Sequence, residues 1–251
     1  MGQCITVVIL AAGLGKRMRS PKAKVLHEVL GRPMVEYVVE TARKIAGDAV
    51  IVVVGHQAEE VRRVVSRSAE AVFVHQPQQL GTGHAVMCVL PHVPAECAQV
   101  LVLCGDVPLV TEATLCDLIA DHERVQRDAT LLSVDVENPF GYGRVLLDDR
   151  QQICGIVEEA DATDAQRAIK TINSGIYCIK RSFLAEALPR LTRSNAQGEF
   201  YLTDIMRIGY DMGCNIGVCH GRDSQEILGI NTPDDLARVE AILSARRAHG
   251  T

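Results

Sequence analysis

The chain has 251 residues, 47% hydrophobic and 23% charged, with a formal net charge of -5. That length suits one large α/β domain or two small ones. The acidic balance argues against a nucleic-acid coat or a membrane-surface protein, so an anionic ligand would have to be met by local cations.

Apolar runs at ITVVIL (5–10), AVIVVV (49–54), AVFV (71–74) and QVLVLC (99–104) read as strands buried on both faces, as in a parallel sheet. Between them, Met34 to Ile45 places Val35, Val38, Val39, Ala42 and Ile45 on one helical stripe, and Ala58 to Val65 and Gly83 to Leu90 look similar. The alternation predicts a doubly wound sheet with right-handed crossovers. The second half changes character. ATLLSVDV (129–136), GRVLLD (143–148), ICGIVE (153–158) and INSGIYCI (172–179) read as strands, with short helices around 181–192 and 202–212. A mixed sheet extending the first is expected, with a lobe over its C-terminal edge. In NTPDDLARVEAILSARR, Thr232 caps a closing helix, Pro233 takes its first turn, and Asp234 and Asp235 complement its N-terminus.

No charged leader precedes a long apolar core, and no apolar stretch approaches the ~20 residues of a membrane span. The nine cysteines include no CxxC pair. They read as small buried hydrophobes in a reducing compartment, and a cytoplasmic protein is expected. Cys214, Cys219 and His220 are spaced unlike the usual zinc ligands.

In an open α/β sheet the ligand crevice lies beyond the carboxyl ends of the strands. Three unusual stretches fall at such ends. In LAAGLGKRM (10–18), Gly13 and Gly15 let backbone N–H groups approach an anion beside Lys16 and Arg17, with Lys24 returning from the next loop. The stretch matches neither GxxxxGK[ST] nor GxGxxG. In HQPQQLGTGHA (75–85), Gly81, Thr82 and Gly83 form a tight turn opening a helix, where free N–H groups accommodate an oxygen-rich ligand. Gln76 and Gln79 suit the edge of a pyrimidine imide, or are surface glutamines; His84 reads as a helix-start packing residue. In CGDVPLV (104–110), Asp106 puts a carboxylate directly after a buried strand. Such a group calls for a cation, and Mg²⁺ takes one or two protein oxygens plus substrate phosphates. Asn231 is a candidate second ligand, although periodicity alone reads it as a turn residue. No protein nucleophile is needed if the substrate is a sugar phosphate. Attack on a nucleotide's α-phosphorus requires charge neutralisation and alignment more than proton transfer.

LAAGxGxRM, PKxKVLHEVLGRPMV, QPQQLGTGHAV, GDVPLV, NPFGYGRV, GIVEEADAT, INSGIY, NAQGEFYLTDI and GINTPDDL occur here in that order. From about Ile5 to Glu240 the chain resembles the uridylyltransferase domain of bacterial bifunctional N-acetylglucosamine-1-phosphate uridyltransferase/glucosamine-1-phosphate acetyltransferase. The resemblance implies a GT-A/Rossmann-like α/β nucleotidyltransferase fold, with a mixed, mostly parallel central sheet and a smaller sugar-binding lobe. It implies a nucleotidyltransferase domain over 1–232, divided into a nucleotide half (about 1–110) and a sugar half (about 111–232), and a C-terminal helix over 233–251. Backbone at Leu10, Ala11, Ala12 and Gly13 would hold UTP, with Gln76, Gly81 and Thr82 reading uracil and ribose. Arg17 and Lys24 would neutralise the phosphates, and Asp106 and Asn231 would ligate Mg²⁺. Gly105, Gly143, Glu158 and Asn173 would grip N-acetylglucosamine 1-phosphate, with Glu199 and Tyr201 lining its pocket.

The implied activity is Mg²⁺-dependent formation of UDP-N-acetylglucosamine and pyrophosphate for cell-wall precursors. The alternatives are another UDP- or dTDP-sugar pyrophosphorylase, or a catalytically silent nucleotide-sugar sensor. The chain departs from the family at Leu14 and Lys16, where GKGTRM is common, and at Cys104, where an aromatic or polar residue is usual. The family's left-handed β-helix does not follow the closing helix, so no acetyltransfer and a monomer are expected.

Overall fold

A computed structural model of the chain describes residues 4–248, with the Lys16 side chain outside the description. β1 (Ile5–Ala11) opens the fold, and the small hairpin β2 (Glu28–Val29) and β3 (Arg32–Pro33) follows. Then come α1 (Met34–Ala46), β4 (Val50–Val54), α2 (Ala58–Val65), β5 (Val72–His75), α3 (Thr82–Val89) and β6 (Gln99–Cys104). The second half runs α4 (Glu112–Val125), β7 (Ala129–Asp135), β8 (Arg144–Leu147), β9 (Ile153–Val157), α5 (Asp164–Arg167) and β10 (Thr171–Lys180). It ends with α6 (Arg181–Ala187), α7 (Asp204–Asp211), β11 (Ile216–His220) and α8 (Pro233–Ala248).

The main sheet runs β11-β7-β10-β6-β1-β4-β5, with the β8–β9 hairpin branching from β10. β6, β1, β4 and β5 are mutually parallel, whereas β10 is antiparallel to both β6 and β7. From β1 the chain winds outward through α1, β4, α2 and β5, then crosses back through α3 to place β6 on the other side of β1. The strand order therefore reverses between β1 and β6, and a crevice opens there at the strands' carboxyl ends.

Alternate residues of each buried strand feed two cores. Val7 and Ile9 pack with α1, α2 and α4 through Val35, Val38, Val61, Leu115 and Leu118. Val8 faces α3, α6 and α7 through Val86, Leu184 and Met206. Both faces are covered, which is why these strands are apolar throughout rather than alternating. The elements not expected include α4, whose N-cap is Thr111 accepting from Thr114 N, the edge strand β11, and the short β2, β3 and α5. α8 begins as expected, with Asp235 N donating to Thr232 Oγ1 and Thr232 N donating to Asp235 Oδ2.

The cysteine reading needs correction. Cys4 and Cys97 form a disulfide. The pairing of β1 with β6 sets the two side by side, as Ala98 N donates to Cys4 O. Of the seven free cysteines Cys178 is buried and Cys116 is exposed, so the buried-hydrophobe reading holds for only part of the set. Cys219 and His220 are successive residues of β11, so their side chains take opposite faces. Among the described residues no group of three His, Cys, Asp or Glu is placed to hold a metal, and no helix is long and apolar enough to cross a membrane.

His122 of α4 is 1% exposed and sits 2.8 Å from Thr130 Oγ1 through Nδ1. Burial, reinforced by Lys180 and Arg127, pushes the imidazole down to about 4. An unfolded histidine titrates near 6.5, so between those values the unfolded chain takes up a proton that the folded chain refuses. Stability should therefore fall as pH drops through this window, by up to ~3 kcal/mol from this group. His122→Gln is expected to flatten the decline in urea unfolding midpoint between pH 6.5 and 4.5 relative to the parent. An unchanged slope would contradict the assignment.

Candidate active site

The loop after β1 and the loop after β6 flank the strand-order reversal. They are tied by Gly105 N donating to Leu10 O at 3.0 Å. Gly15 is required for the next step: its φ is +62°, and a Cβ there would lie 2.6 Å from Lys24 Cβ. That close approach delivers Lys24 to the crevice. Its Nζ pairs with the Asp106 carboxylate and donates to Asn231 Oδ1 at 2.6 Å. Arg17 Nη2 reaches the same Asn231 oxygen at 2.8 Å. Asn231 comes from the loop before α8, which is docked by Ile230 N donating to Asp106 O at 2.9 Å. Two oxygens from distant segments thus converge on one ammonium, with a guanidinium alongside.

Further along the rim, Gln76 is 3% exposed. Its amide nitrogen donates to Gly81 O at 3.0 Å and lies 3.1 Å from His84 Nδ1. The sequence reading had its whole amide free. Only its carbonyl oxygen has no hydrogen bond among the described residues. Gln79 Nε2 donates to Gln76 O, and Ala12 O accepts from His56 N at 3.4 Å. Gly81 has φ +107°, and a Cβ there would meet Phe200 O at 2.5 Å. The 80–83 turn is knitted to the 199–202 segment: Phe200 N donates to Leu80 O, Gly83 N to Phe200 O, and Leu202 N to Thr82 Oγ1. Glu199 therefore sits against the turn that carries Gly81 and Thr82, whereas the sequence reading grouped it with the sugar residues.

On the other side of β6, a register irregularity in β10 between Asn173 and Tyr177 aims Asn173 at the crevice. Its Oδ1 accepts from Gly175 N and Tyr177 OH, leaving the amide nitrogen as a donor. A Cβ on Gly143 would lie 3.3 Å from Glu158 Oε2 and 3.4 Å from Asn173 Cβ, so these three residues meet. Burial raises the Glu158 carboxyl, with Asp204 and Asp161 adding to the shift and Thr203 Oγ1 opposing it by donating to Oε1. Tyr201 is 8% exposed, and its hydroxyl donates to Asp161 Oδ2 at 3.2 Å.

Cys104 stands between the two ends. Its thiol donates to Gly175 O at 3.5 Å. Burial pushes it up to about 12, and the carboxylates of Asp106 and Glu158 add to the shift. The thiol is a packed wall, and both ends of the crevice lie within electrostatic reach of it. The Lys16 side chain, a candidate phosphate contact in the sequence, lies outside the described residues.

Several residues passed over in the sequence belong here. Asp161 and Asp204 lie near enough to Glu158 to raise its carboxyl, and Arg144 supports the loop before β8. Of NPFGYGRV only Gly143 is a ligand contact that the resemblance implies.

Residues 7–175 match the family described as MobA-like NTP transferase domain. The chain is 46% identical over 242 residues to the bifunctional protein GlmU of Heliobacterium modesticaldum, covering 96% of this chain and 52% of that protein. It is 45% identical over 244 residues to the bifunctional protein GlmU of Alkaliphilus oremlandii, covering 97% of this chain and 53% of the relative. The same-named protein of Pelobacter propionicus is 43% identical over 242 residues, with 96% of this chain and 53% of the relative covered. The chain thus spans about half the length of the curated relatives it matches. With a parallel sheet reversed between β1 and β6 and cations gathered at that point, the chain belongs to the MobA-like NTP transferase domain family.

Proposed function

We propose that the chain transfers a uridylyl group from UTP to N-acetylglucosamine 1-phosphate, giving UDP-N-acetylglucosamine and pyrophosphate, with Mg²⁺ as cofactor. The observation that carries this reading is the meeting of Lys24, Arg17, Asp106 and Asn231 beside the Gly143, Glu158 and Asn173 group. It draws further support from the similarity to proteins named bifunctional protein GlmU. The division into a nucleotide half (about 1–110) and a sugar half (about 111–232) belongs to the same proposal, as does a cytoplasmic setting.

The metal fit rests on the Lys24 ammonium. A cation already sits between Asp106 and Asn231, and two hard oxygens are the protein share Mg²⁺ takes when phosphates supply the rest. Bound there, the ion would neutralise charge on the α-phosphate and on the departing pyrophosphate. The residues supply the remainder. Gln76 offers a carbonyl to an imide N–H, Glu158 accepts sugar hydroxyls, and Asn173 donates to the sugar. Arg17 and Lys24 face the phosphates. The ionised sugar phosphate attacks the α-phosphorus, a P–O bond forms, and the bond to the β-phosphate oxygen breaks as pyrophosphate leaves. No side chain need exchange a proton in that step, so alignment and charge neutralisation carry the catalysis.

Pyrophosphate release across UTP, dTTP, ATP and GTP, each with N-acetylglucosamine 1-phosphate or glucose 1-phosphate, tests the assignment. The pair UTP and N-acetylglucosamine 1-phosphate is expected to be fastest. Preference for dTTP with glucose 1-phosphate would replace it with another sugar nucleotide, and binding without turnover would leave a sensor.

Two substitutions probe the cation site. Asp106→Asn is expected to lower kcat by about 10²–10³-fold or more, with an unchanged unfolding midpoint. Near-normal turnover would remove Asp106 from the site. Lys24→Met should lower turnover yet tighten Mn²⁺ binding to the ligand-free protein, because the competing ammonium is gone. Weaker Mn²⁺ binding in calorimetry would contradict that arrangement.

A further inference from the structure

Arg144 opens β8 and is 1% exposed. Burying an arginine with its counter-charge contributes little net stability, since desolvation offsets the attraction, so the placement calls for another account. Its contacts supply one. Nη1 donates to Tyr142 O, and Nη2 donates to Glu159 Oε2 at 2.6 Å and to Arg167 O at 3.4 Å. The same Glu159 oxygen accepts from Gly141 N at 3.1 Å, and its other oxygen lies 3.5 Å from Arg167 Nε. One guanidinium and one carboxylate therefore fix the N–H of residue 141 and the C=O of residue 142, immediately before Gly143.

Glu159 is also the chain neighbour of Glu158. The pair thus ties together the two segments whose Gly143 and Glu158 meet at the crevice. A planar fork donating to a carbonyl and a carboxylate at once sets orientation as well as distance, which a lysine ammonium would not.

We infer that Arg144, acting with Glu159, is a positioning residue: it holds the 139–143 turn so that Gly143 and Glu158 present one rigid surface to the sugar phosphate. The inference rests on the reading of Gly143, Glu158 and Asn173 as the sugar-binding group. Neither Arg144 nor Glu159 touches the reacting atoms. Their effect falls on the affinity for one substrate.

The test uses Glu159→Ala, Glu159→Gln and Arg144→Lys in the full chain. Glu159→Ala removes the shared acceptor and leaves the Arg144 guanidinium two backbone carbonyls but no counter-charge, so the unfolding midpoint is measured beside the kinetics of this variant. It should raise KM for N-acetylglucosamine 1-phosphate roughly tenfold, with kcat and KM for UTP changed by less than about twofold. Glu159→Gln, which keeps an acceptor, should recover part of the loss, and Arg144→Lys should show the same selective rise. Amide hydrogen exchange over 139–143 should quicken in Glu159→Ala while β1 and β6 keep their protection.

Equal KM rises for both substrates, or an unchanged sugar-phosphate KM in an active enzyme, would overturn the inference. Unchanged exchange over 139–143 would overturn it whatever the activity. An inactive parent enzyme would instead overturn the functional reading, and with it the sugar-phosphate role, while exchange still decides whether the pair holds the turn.

Discussion

One ammonium group, Lys24 Nζ, lies between Asp106 and Asn231, two residues far apart in the sequence. A carboxylate after a buried strand is costly without a partner, and the partner here is delivered by a close backbone approach that only glycine permits at position 15. Much of the fold serves this meeting. The reversal between β1 and β6 puts the two loops side by side, and the hydrogen bond from Ile230 N to Asp106 O brings in the loop before α8. The arrangement balances the Asp106 charge in the ligand-free protein and leaves oxygen donors facing a cation.

The second half of the chain extends the same sheet rather than forming a separate body. β10 runs antiparallel along β6, and its irregularity at Asn173–Tyr177 turns Asn173 toward the crevice. Cys104 fills the space between the Asp106 and Glu158 ends, so phosphate and sugar chemistry would share one wall. The 80–83 turn and the 199–202 segment cross-link the two halves on the other side. Short hydrogen bonds therefore fasten the two halves to each other along this side of the crevice.

The sequence made the doubly wound half legible because its strands are covered on both faces, leaving unbroken runs such as VIVVV. α1 and α2 were equally clear from their stripes. α4 escaped because its inward face pairs Leu115 and Leu118 with a buried His122 where an apolar residue would signal a helix. β11 escaped as a five-residue edge strand containing a glycine and a histidine. The same logic applies to the site. Residues at strand ends announced themselves by position. Asn231 depended on resemblance, because no spacing rule links it to Asp106 across the chain. Arg144 falls in the strand run GRVLLD, where nothing in the sequence marks its charge as buried, and packing shows it at 1% exposure. Loops that touch only in three dimensions leave no periodic trace.

The central claim is that the substrate's own phosphate attacks the nucleotide directly, with no group of the protein becoming covalently attached. The stereochemical course at the α-phosphorus tests this most directly, using a single diastereomer of UTP carrying sulfur on that phosphorus. One in-line displacement predicts inversion in the product. Net retention would require two displacements through a covalent intermediate, and would contradict the account.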